Sequence, residues 1–313
     1  MANCLVLGAN GFIGSHLVDE LTSAGHAVRA FDRFSSVRKS FQTKGVEVFP
    51  GDFLNDADIR RSVVGQNFVF HFLSTTTPAT AQEDPTVDVR TNVAQSISLL
   101  QSCVHSGVSR VYFASTGGAI YGNQSSEQHR ETDITLPISP YGIGKLAIEN
   151  YLNYFRITAG LESVILRISN PYGPRQRGNR GQGIIPIALR QILAGLPVVQ
   201  LGDGQMVRDY IFVEDLVKMI GRMVSERPLM PLYNIGSGQG TSVQTIFATI
   251  SRVLGHSFEI VGKDAPVTYV NKAVLNIERY TREFNFADFT PLEIGIKRTI
   301  TALVTDQDRQ SFA

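Results

Sequence analysis

The run "NCLVLGANGFIGSHL", residues 3–17, constrains the fold more than any other stretch of the chain. An apolar segment (3–8) leads straight into three glycines, Gly8, Gly11 and Gly14, and these overlap a helical stripe of Ile13, Leu17 and Leu21. A second apolar segment, "AVRAFD" (27–32), closes on Asp32, 18 residues after Gly14. Strand, glycine turn, helix, strand and terminal acid in that order specify a βαβ unit whose first turn can meet a pyrophosphate. Gly8 permits the tight turn, Gly11 lets backbone approach the phosphates, and Gly14 lets the helix pack close to the strand. The first N–H groups of the helix have no partners within it, and its positive dipole end suits an anion. Asp32 can accept hydrogen bonds from an adenosine ribose and repel a 2′-phosphate, which favours NAD over NADP; Arg33 beside it pulls the other way. The spacing is G-x-x-G-x-x-G, one residue longer than G-x-G-x-x-G. Asp52 in "PGDF" ends the third apolar run, where it can reach an adenine amino group or cap a turn.

The same alternation continues. "VEVFPG" (46–51), "NFVFHFL" (67–73), "RVYFAS" (110–115) and "SVILRIS" (163–169) read as further strands. Most are almost continuously apolar, as parallel strands covered on both faces are. Helical stripes fall between them: Val93, Ile97, Leu100 and Val104, then Leu146, Tyr151, Leu152 and Phe155. The expected fold class is α/β, a doubly wound parallel (Rossmann) sheet with a smaller C-terminal substrate-binding domain. The dinucleotide domain is expected over residues 1–169, with return segments around 208–236, and the second domain over 170–313. Past residue 170 a Gly/Arg/Pro-rich loop, "NPYGPRQRGNRGQG" (170–183), precedes a helix "IIPIALRQILAG", a turn "LGDGQ" and an apolar segment "RDYIFVEDLV". The remainder reads as shorter elements without a clear second sheet.

Composition narrows the function classes. Lys and Arg total 29 against 28 Asp and Glu, a net charge of +1, which argues against binding to nucleic acid or a membrane surface. No apolar run approaches the roughly 18 residues needed to span a bilayer. The N-terminus "MANCLVLGANGF" lacks a basic start and reads as no signal peptide. Cys4 and Cys103 have no metal-like spacing and read as reduced, buried thiols of a cytoplasmic protein. No His/Cys/carboxylate cluster has metal spacing; His71 reads as strand-end packing near the cofactor, and His105 is isolated.

"SPYGIGKLAIENY" (139–151) sets Tyr141 and Lys145 four residues apart on one helical face. A tyrosine ionises near pH 10, so a phenol that removes an alcohol proton near neutrality needs its pKa lowered. A neighbouring ammonium can do that, and the oxidised nicotinamide adds a second positive charge. Lys145 can also bind the nicotinamide ribose. In "ASTGGAIYG", Ser115 and Thr116 fall at the carboxyl edge of a strand, where a doubly wound sheet holds its ligands. A hydroxyl there can hydrogen-bond the substrate oxygen and the tyrosine phenol; Thr116 is the favoured catalytic hydroxyl and Ser115 the close alternative.

"GANGFIG", "STGGAIYG", "YGIGK", "NPYGPRQ", "RDYIFVEDL" and "YNIGSG", in this order, resemble the extended short-chain dehydrogenase/reductase family, and within it the nucleotide-sugar epimerases of the UDP-glucose/UDP-galactose 4-epimerase type. The resemblance covers nearly the whole chain. It implies tightly held NAD, with Phe12, Ile13, Phe53 and Leu73 joining Gly8, Gly11, Gly14, Asp32, Arg33, Asp52, Tyr141 and Lys145 around it. It implies contacts to a nucleotide-diphosphate sugar from Asn170, Ile184, Gly117 and Arg208, whose guanidinium can bind phosphate oxygens in pairs. Arg175 and Arg177 are further loop candidates, and "GQGII" (181–185) matches the segment whose backbone holds the base.

The implied reaction is oxidation at C4 of the sugar, rotation of the 4-keto sugar, and reduction on its other face. The 4,6-dehydratases of the family carry an Asp-Glu pair just after the strand hydroxyl; here Gly118, Ala119 and Ile120 precede Tyr121. With no acid and base there, elimination of water is disfavoured and epimerisation preferred. Counted back strictly from Tyr121, the hydroxyl position falls on Gly117; a local bulge would leave it at Thr116. The usual R-x-x-D motif is absent: Pro266 and Tyr269 occupy its positions, with Lys263 or Lys272 as electrostatic substitutes and small Ala273 near the sugar C2 group. Two rivals remain, a 4-keto-sugar reductase using NADPH and a non-catalytic dinucleotide sensor. Apolar faces on the helices around 92–106 and 141–159 lead us to expect a homodimer.

Overall fold

A computed structural model describes residues 1–35, 39–176, 183–265 and 269–311. The chain divides into two compact units. The first comprises Met1–Thr116, Pro137–Arg167 and Val217–Tyr233. In it β1 (Asn3–Leu7), α1 (Phe12–Ser23), β2 (Ala27–Asp32), β3 (Glu47–Pro50), α2 (Asp56–Val63) and β4 (Phe68–His71) follow one another. Short helices α3 (Pro78–Glu83) and α4 (Pro85–Asp88) lead through a π-helical turn (Val89–Val93) into α5 (Ala94–His105). Then come β5 (Arg110–Thr116), α6 (Pro140–Ala159) and β6 (Glu162–Ile168). Each of the six expected strands forms within two residues of its expected ends.

The second unit comprises Gly117–Leu136, Ile168–Leu216 and Asn234–Ala313. Its elements are β7 (Asn170–Tyr172), α7 (Ile184–Leu193), β8 (Val198–Leu201), β9 (Val207–Phe212) and the start of α8 (Val213–Ser225). After β10 (Leu232–Ile235) it continues with β11 (Gly240–Ser242), α9 (Val243–Leu254), β12 (Ile260–Lys263), β13 (Lys272–Ala273), α10 (Glu278–Phe284) and α11 (Leu292–Ser311).

Seven strands form the main sheet in the order β10-β6-β5-β4-β1-β2-β3. β1 pairs in parallel with β2 on one side and β4 on the other, Cys4 lying opposite Val28 and Phe68. The chain therefore winds outward from β1 to β3, returns to β4, and winds the other way. A doubly wound sheet binds ligands at that reversal, beyond the carboxyl ends of β1 and β4. Cys4, Leu5, Val6 and Leu7 are fully buried, which explains the uninterrupted apolar run in β1. Phe31, Ile59, Val63, Leu99, Leu100, Ile148 and Leu152 share one core.

Helix α6 carries the Tyr141–Lys145 pair. Ser139 caps it, its Oγ accepting the Gly142 N–H at 3.2 Å, and Pro140 takes the first turn, where no N–H is needed. Its buried positions include Lys145, Ile148, Glu149, Leu152 and Phe155, a helical stripe that holds two charges. Glu149 Oε2 meets Arg167 Nη2 of β6 at 2.8 Å, and Glu149 Oε1 accepts the Ser115 hydroxyl of β5 at 2.5 Å. All three residues are buried, so this network ties α6 to the two strands beneath it.

The second unit departs from expectation. β9 is paired in parallel with β7 and β13 and antiparallel with β11, giving a four-stranded mixed sheet, while β8 and β12 form a parallel pair. The partners of β9 are two or three residues long and come from chain segments far apart, so no local periodicity marks them.

Truncating one partner of a buried ion pair strands the other in a low-dielectric setting, at about 3–5 kcal/mol. Arg167→Ala is therefore expected to destabilise the fold by about that amount, as read by urea unfolding. A loss under about 1 kcal/mol would mean the network does not hold α6.

Candidate active site

The glycine loop leaves β1 with Gly8 at φ +83°, a left-handed conformation that suits glycine. A Cβ on Gly14 would lie 2.1 Å from the Gly8 carbonyl oxygen, so only glycine lets α1 pack this closely. Gly11 is the N-cap of α1 and supplies no side chain to it, leaving the positive helix end open. Phe12 and Ile13 open the helix, both half-buried. A Cβ on Gly8 would come within 2.9 Å of Phe72 O and 3.1 Å of Leu73 Cα, which puts Leu73 beside the loop. Asp32 lies at the end of β2, its carboxylate accepting the Asn10 N–H at 3.0 Å and the Arg33 N–H at 2.8 Å. Arg33 is exposed.

Two expected cofactor residues also make local contacts. Asp52 is exposed, and its carboxylate accepts the Leu54 N–H at 3.0 Å, the turn-capping alternative. Phe53 is buried in the core, 5.3 Å from the His71 ring, so its side chain is turned away from solvent. His71 is buried and shares a 2.8 Å hydrogen bond with Ser96 Oγ; burial, with Lys145 adding, pushes its imidazole down to about 3. It is neutral packing, as expected. His105 is exposed on α5.

Tyr141 and Lys145 stand on successive turns of α6, with Lys145 Nζ 5.6 Å from the centroid of the Tyr141 ring. The ammonium donates to Ala114 O at 2.9 Å and lies 4.8 Å from the centroid of the Phe113 ring. Lys145 is only 7% exposed, and burial pulls it down to about 8 against the opposing pull of Asp88 and Glu149. The expected lowering of the Tyr141 phenol is not found in the protein alone. Burial, with the Asp88 carboxylate adding, pushes the phenol up to about 12. Desolvation and a carboxylate outweigh an ammonium directed at a carbonyl.

The two strand hydroxyls differ sharply. Ser115 is buried and donates to Glu149, so it serves the α6 anchor. Thr116, the last residue of β5, is half-buried, and its hydroxyl has no hydrogen-bond partner among the described residues.

In the second unit, Gly117 donates its N–H to Ile168 O at 2.7 Å. Asn170 Nδ2 donates to Asp209 O at 3.1 Å, and Gly118 lies beside its amide, 3.6 Å from where a Cβ would be. Ile184 is the half-buried first residue of α7, and Arg175 takes φ +67° in the loop before it. Arg208 Nη1 donates to Val207 O at 2.9 Å, and Nη2 donates to Val270 O. Its guanidinium lies 5.9 Å from the centroid of the Tyr269 ring. Lys272 is paired with Glu127, which commits its charge elsewhere; Lys263 is exposed on β12, and Ala273 is buried on β13. Arg177, Pro266 and the residues 181–182 of the "GQGII" segment lie outside the described residues. Among the described residues no three His, Cys, Asp or Glu side chains are placed to hold a metal, and no helix is long and apolar enough to cross a membrane.

Sequence reasoning missed Asp88. It lies on α4 before the π-helical turn, and only the folded chain brings it to α6. The signal that could have found it is a glycine inside the helix, in "YGIGK": a Cβ on Gly144 would lie 1.9 Å from Asp88 Oδ2.

A family model described as the NAD dependent epimerase/dehydratase family matches residues 4–236. The chain belongs to that family. The UDP-glucose 4-epimerase of Thermotoga maritima, solved with UDP-glucose, is 33% identical with a TM-score of 0.91, over 97% of this chain and 99% of that one. The UDP-glucose 4-epimerase of Thermus thermophilus, solved with NAD, is 30% identical with a TM-score of 0.89, over 96% of this chain and 99% of that one. A dTDP-4-dehydro-6-deoxyglucose reductase of Escherichia coli is 28% identical over 96% of each chain. The epimerase/dehydratase family uses NAD, and the first unit fits that cofactor. It offers an open helix end for the pyrophosphate, a Gly8–Gly14 approach that any Cβ would block, and a carboxylate at the end of β2 for the ribose.

Lys145 yields a pH prediction. Its folded pKa lies below the unfolded value, so the folded state is penalised while the lysine is charged in both states. The penalty fades as pH rises from about 8 toward 10.5, where the unfolded chain binds the extra proton. Wild-type stability relative to Lys145→Met is expected to rise across that window, by on the order of 3 kcal/mol, as read by urea unfolding at stepped pH. A flat difference would mean Lys145 is not desolvated.

Proposed function

We propose that this chain is an NAD-dependent nucleotide-sugar 4-epimerase, with a UDP-hexose as the favoured substrate. The observation that carries the reading is the Tyr141–Lys145 pair, held on α6 in the unit that also bears the glycine cradle and Asp32. Two further facts support it. Thr116 has an uncommitted hydroxyl at the end of β5, and residues 117–120, all Gly, Ala or Ile, provide no acid or base for elimination.

In this reading Tyr141 takes the proton from the C4 hydroxyl and returns it after the 4-keto sugar has turned over. Thr116 donates to or accepts from the same oxygen and fixes its position, which the committed Ser115 is not free to do. Lys145 remains an ammonium beside the phenol, and with Asp32 and the Gly8–Gly14 loop it would hold the cofactor. When bound, NAD would supply a hydride acceptor for C4 and a positive charge favouring a more acidic phenol. Arg208 exchanges its backbone carbonyl partners for diphosphate oxygens, and Asn170, Gly117 and Ile184 line the sugar-nucleotide side. Two of the relatives are UDP-glucose 4-epimerases and the third is a dTDP-4-dehydro-6-deoxyglucose reductase, which agrees with chemistry at C4. The last of these makes reduction the second reading.

We also propose a homodimer through α6. Ile143 (55% exposed), Tyr154 (53%) and Ile157 (68%) stand on its outer surface, large apolar side chains that a helix facing water would not select.

NMR of the products from UDP-, dTDP-, GDP- and CDP-sugars, together with assay of nucleotide retained through purification, tests the reaction. Epimerised sugar with retained NAD(H) supports the proposal; net consumption of NADPH with a 4-keto sugar replaces it with the reductase. Tyr141→Phe is expected to keep the cofactor and lose turnover by about 10²–10⁴-fold; full turnover would remove Tyr141 from the chemistry. Ile157→Glu is expected to halve the mass seen by sedimentation, and a mass equal to wild type would refute the α6 interface.

A further inference from the structure

Asp88 is buried at 3% exposure, on α4. Among the described residues no cation pairs with it directly. Its Oδ1 accepts the Thr76 hydroxyl at 2.5 Å and the Asn92 amide at 2.8 Å. Asn92 is itself held, its Oδ1 accepting the Thr75 N–H at 2.9 Å and its Nδ2 donating to Thr76 Oγ1 at 2.8 Å. The carboxylate is thereby fixed in one orientation. Its Oδ2 is turned to α6, where Gly144 leaves the space: a Cβ there would come within 1.9 Å. Gly144 lies one turn after Tyr141 and immediately before Lys145, so the helix backbone is opened at a position that admits an anion beside the pair.

A buried carboxylate without a cation is costly, and a glycine inside a helix is less stable than an alanine. Both costs fall at the same contact, next to the reacting groups. We propose that Asp88 is a positioning residue for the Tyr141–Lys145 pair, a fixed counter-charge that keeps Lys145 in its ammonium form within a desolvated site. This rests on the reading of that pair as the reacting groups. The other titratable neighbours leave the role to Asp88. Glu149 on α6 is engaged with Arg167 and Ser115; His71 on β4 is neutral; Glu83 on α3, Arg90 on the π-helical turn and His105 on α5 are exposed. Asp88 leads the influences that oppose the downward pull of burial on Lys145, and the same field holds the Tyr141 phenol up. One carboxylate thus acts on both members, stabilising the ammonium and resisting the phenolate.

The test is Asp88→Asn, which keeps the size and an oxygen for Thr76 and Asn92 while removing the charge. Protein labelled with [¹³C]lysine is titrated by NMR without substrate, the Lys145 ε-carbon being assigned by its loss in Lys145→Arg. Lys145 is expected to lose its proton about one pH unit lower in the variant, the size of shift that removal of a nearby opposite charge produces. Both limbs of the turnover–pH profile are expected to move to lower pH, because the phenol also becomes more acidic. An unmoved lysine titration in the folded variant overturns the inference, as does a moved titration with unmoved limbs. Wild-type turnover in Tyr141→Phe would instead sink the reading of the pair, a result the lysine titration does not depend on. Should Asp88→Asn not fold, Asp88→Ser removes the same charge and is read in the same way.

Discussion

Charge buried beneath one helix governs this protein. α6 presents a carboxylate and an ammonium to the sheet where a helix of its kind would present only apolar groups. Glu149 is matched by Arg167 and Ser115, and that match fixes the height and rotation of α6 on β5 and β6. Buried ion pairs add little net stability compared with apolar packing, but they penalise every arrangement in which the partners do not meet. Lys145 is therefore placed by a contact one turn further along the same helix. Its own partners, the Ala114 carbonyl and the Phe113 ring, are fixed parts of β5.

The reversal of strand order supplies the other half of the first unit's design. The loops after β1 and β4 converge because the strands are adjacent and parallel, and the close contact of Gly8 with Phe72 and Leu73 records that convergence. A side chain at Gly14 would push α1 away from the loop and move the open helix end out of line with β1. The three glycines are thus one steric condition, and the acid at the end of β2 belongs to the same edge of the sheet.

Much of this was legible in the sequence because it is local. The six strands, the glycine turn, Asp32 and the 141/145 pair each depend on residues close together in the chain, where period and spacing carry the information. The mixed sheet around β9 was illegible: strands of two or three residues drawn from distant segments leave no periodic trace. The roles of Ser115 and Thr116 could not be separated either. Adjacent residues on a strand point to opposite faces, but the sequence does not say which face meets Glu149. Asp88 was hidden for a similar reason, since a π-helical turn changes the helical phase between it and α5. The missed clue was Gly144, a residue whose cost in a helix signals a close approach from elsewhere.

The sequence reading of an acidified Tyr141 counted the cofactor's charge together with Lys145; in the protein alone the direction is the opposite. A lysine four residues away implies an acidified phenol only if the ammonium faces the oxygen and nothing else intervenes. Here desolvation and the Asp88 carboxylate dominate, and the phenol is pushed up to about 12. For an enzyme that moves a proton in one direction this would be a handicap. For one that must remove a proton from a sugar hydroxyl and then restore it, a group held too acidic would fail in the second step. Under the proposed reaction, a phenol that resists ionisation in the protein alone would act as a base only with an added positive charge nearby. It would be an acid again without that charge. The buried carboxylate opposes the phenolate in the protein alone, so any positive charge that offsets it bears directly on the phenol's proton. On the inference above, the same carboxylate would favour the charged form of Lys145, so one buried group bears on both members of the pair.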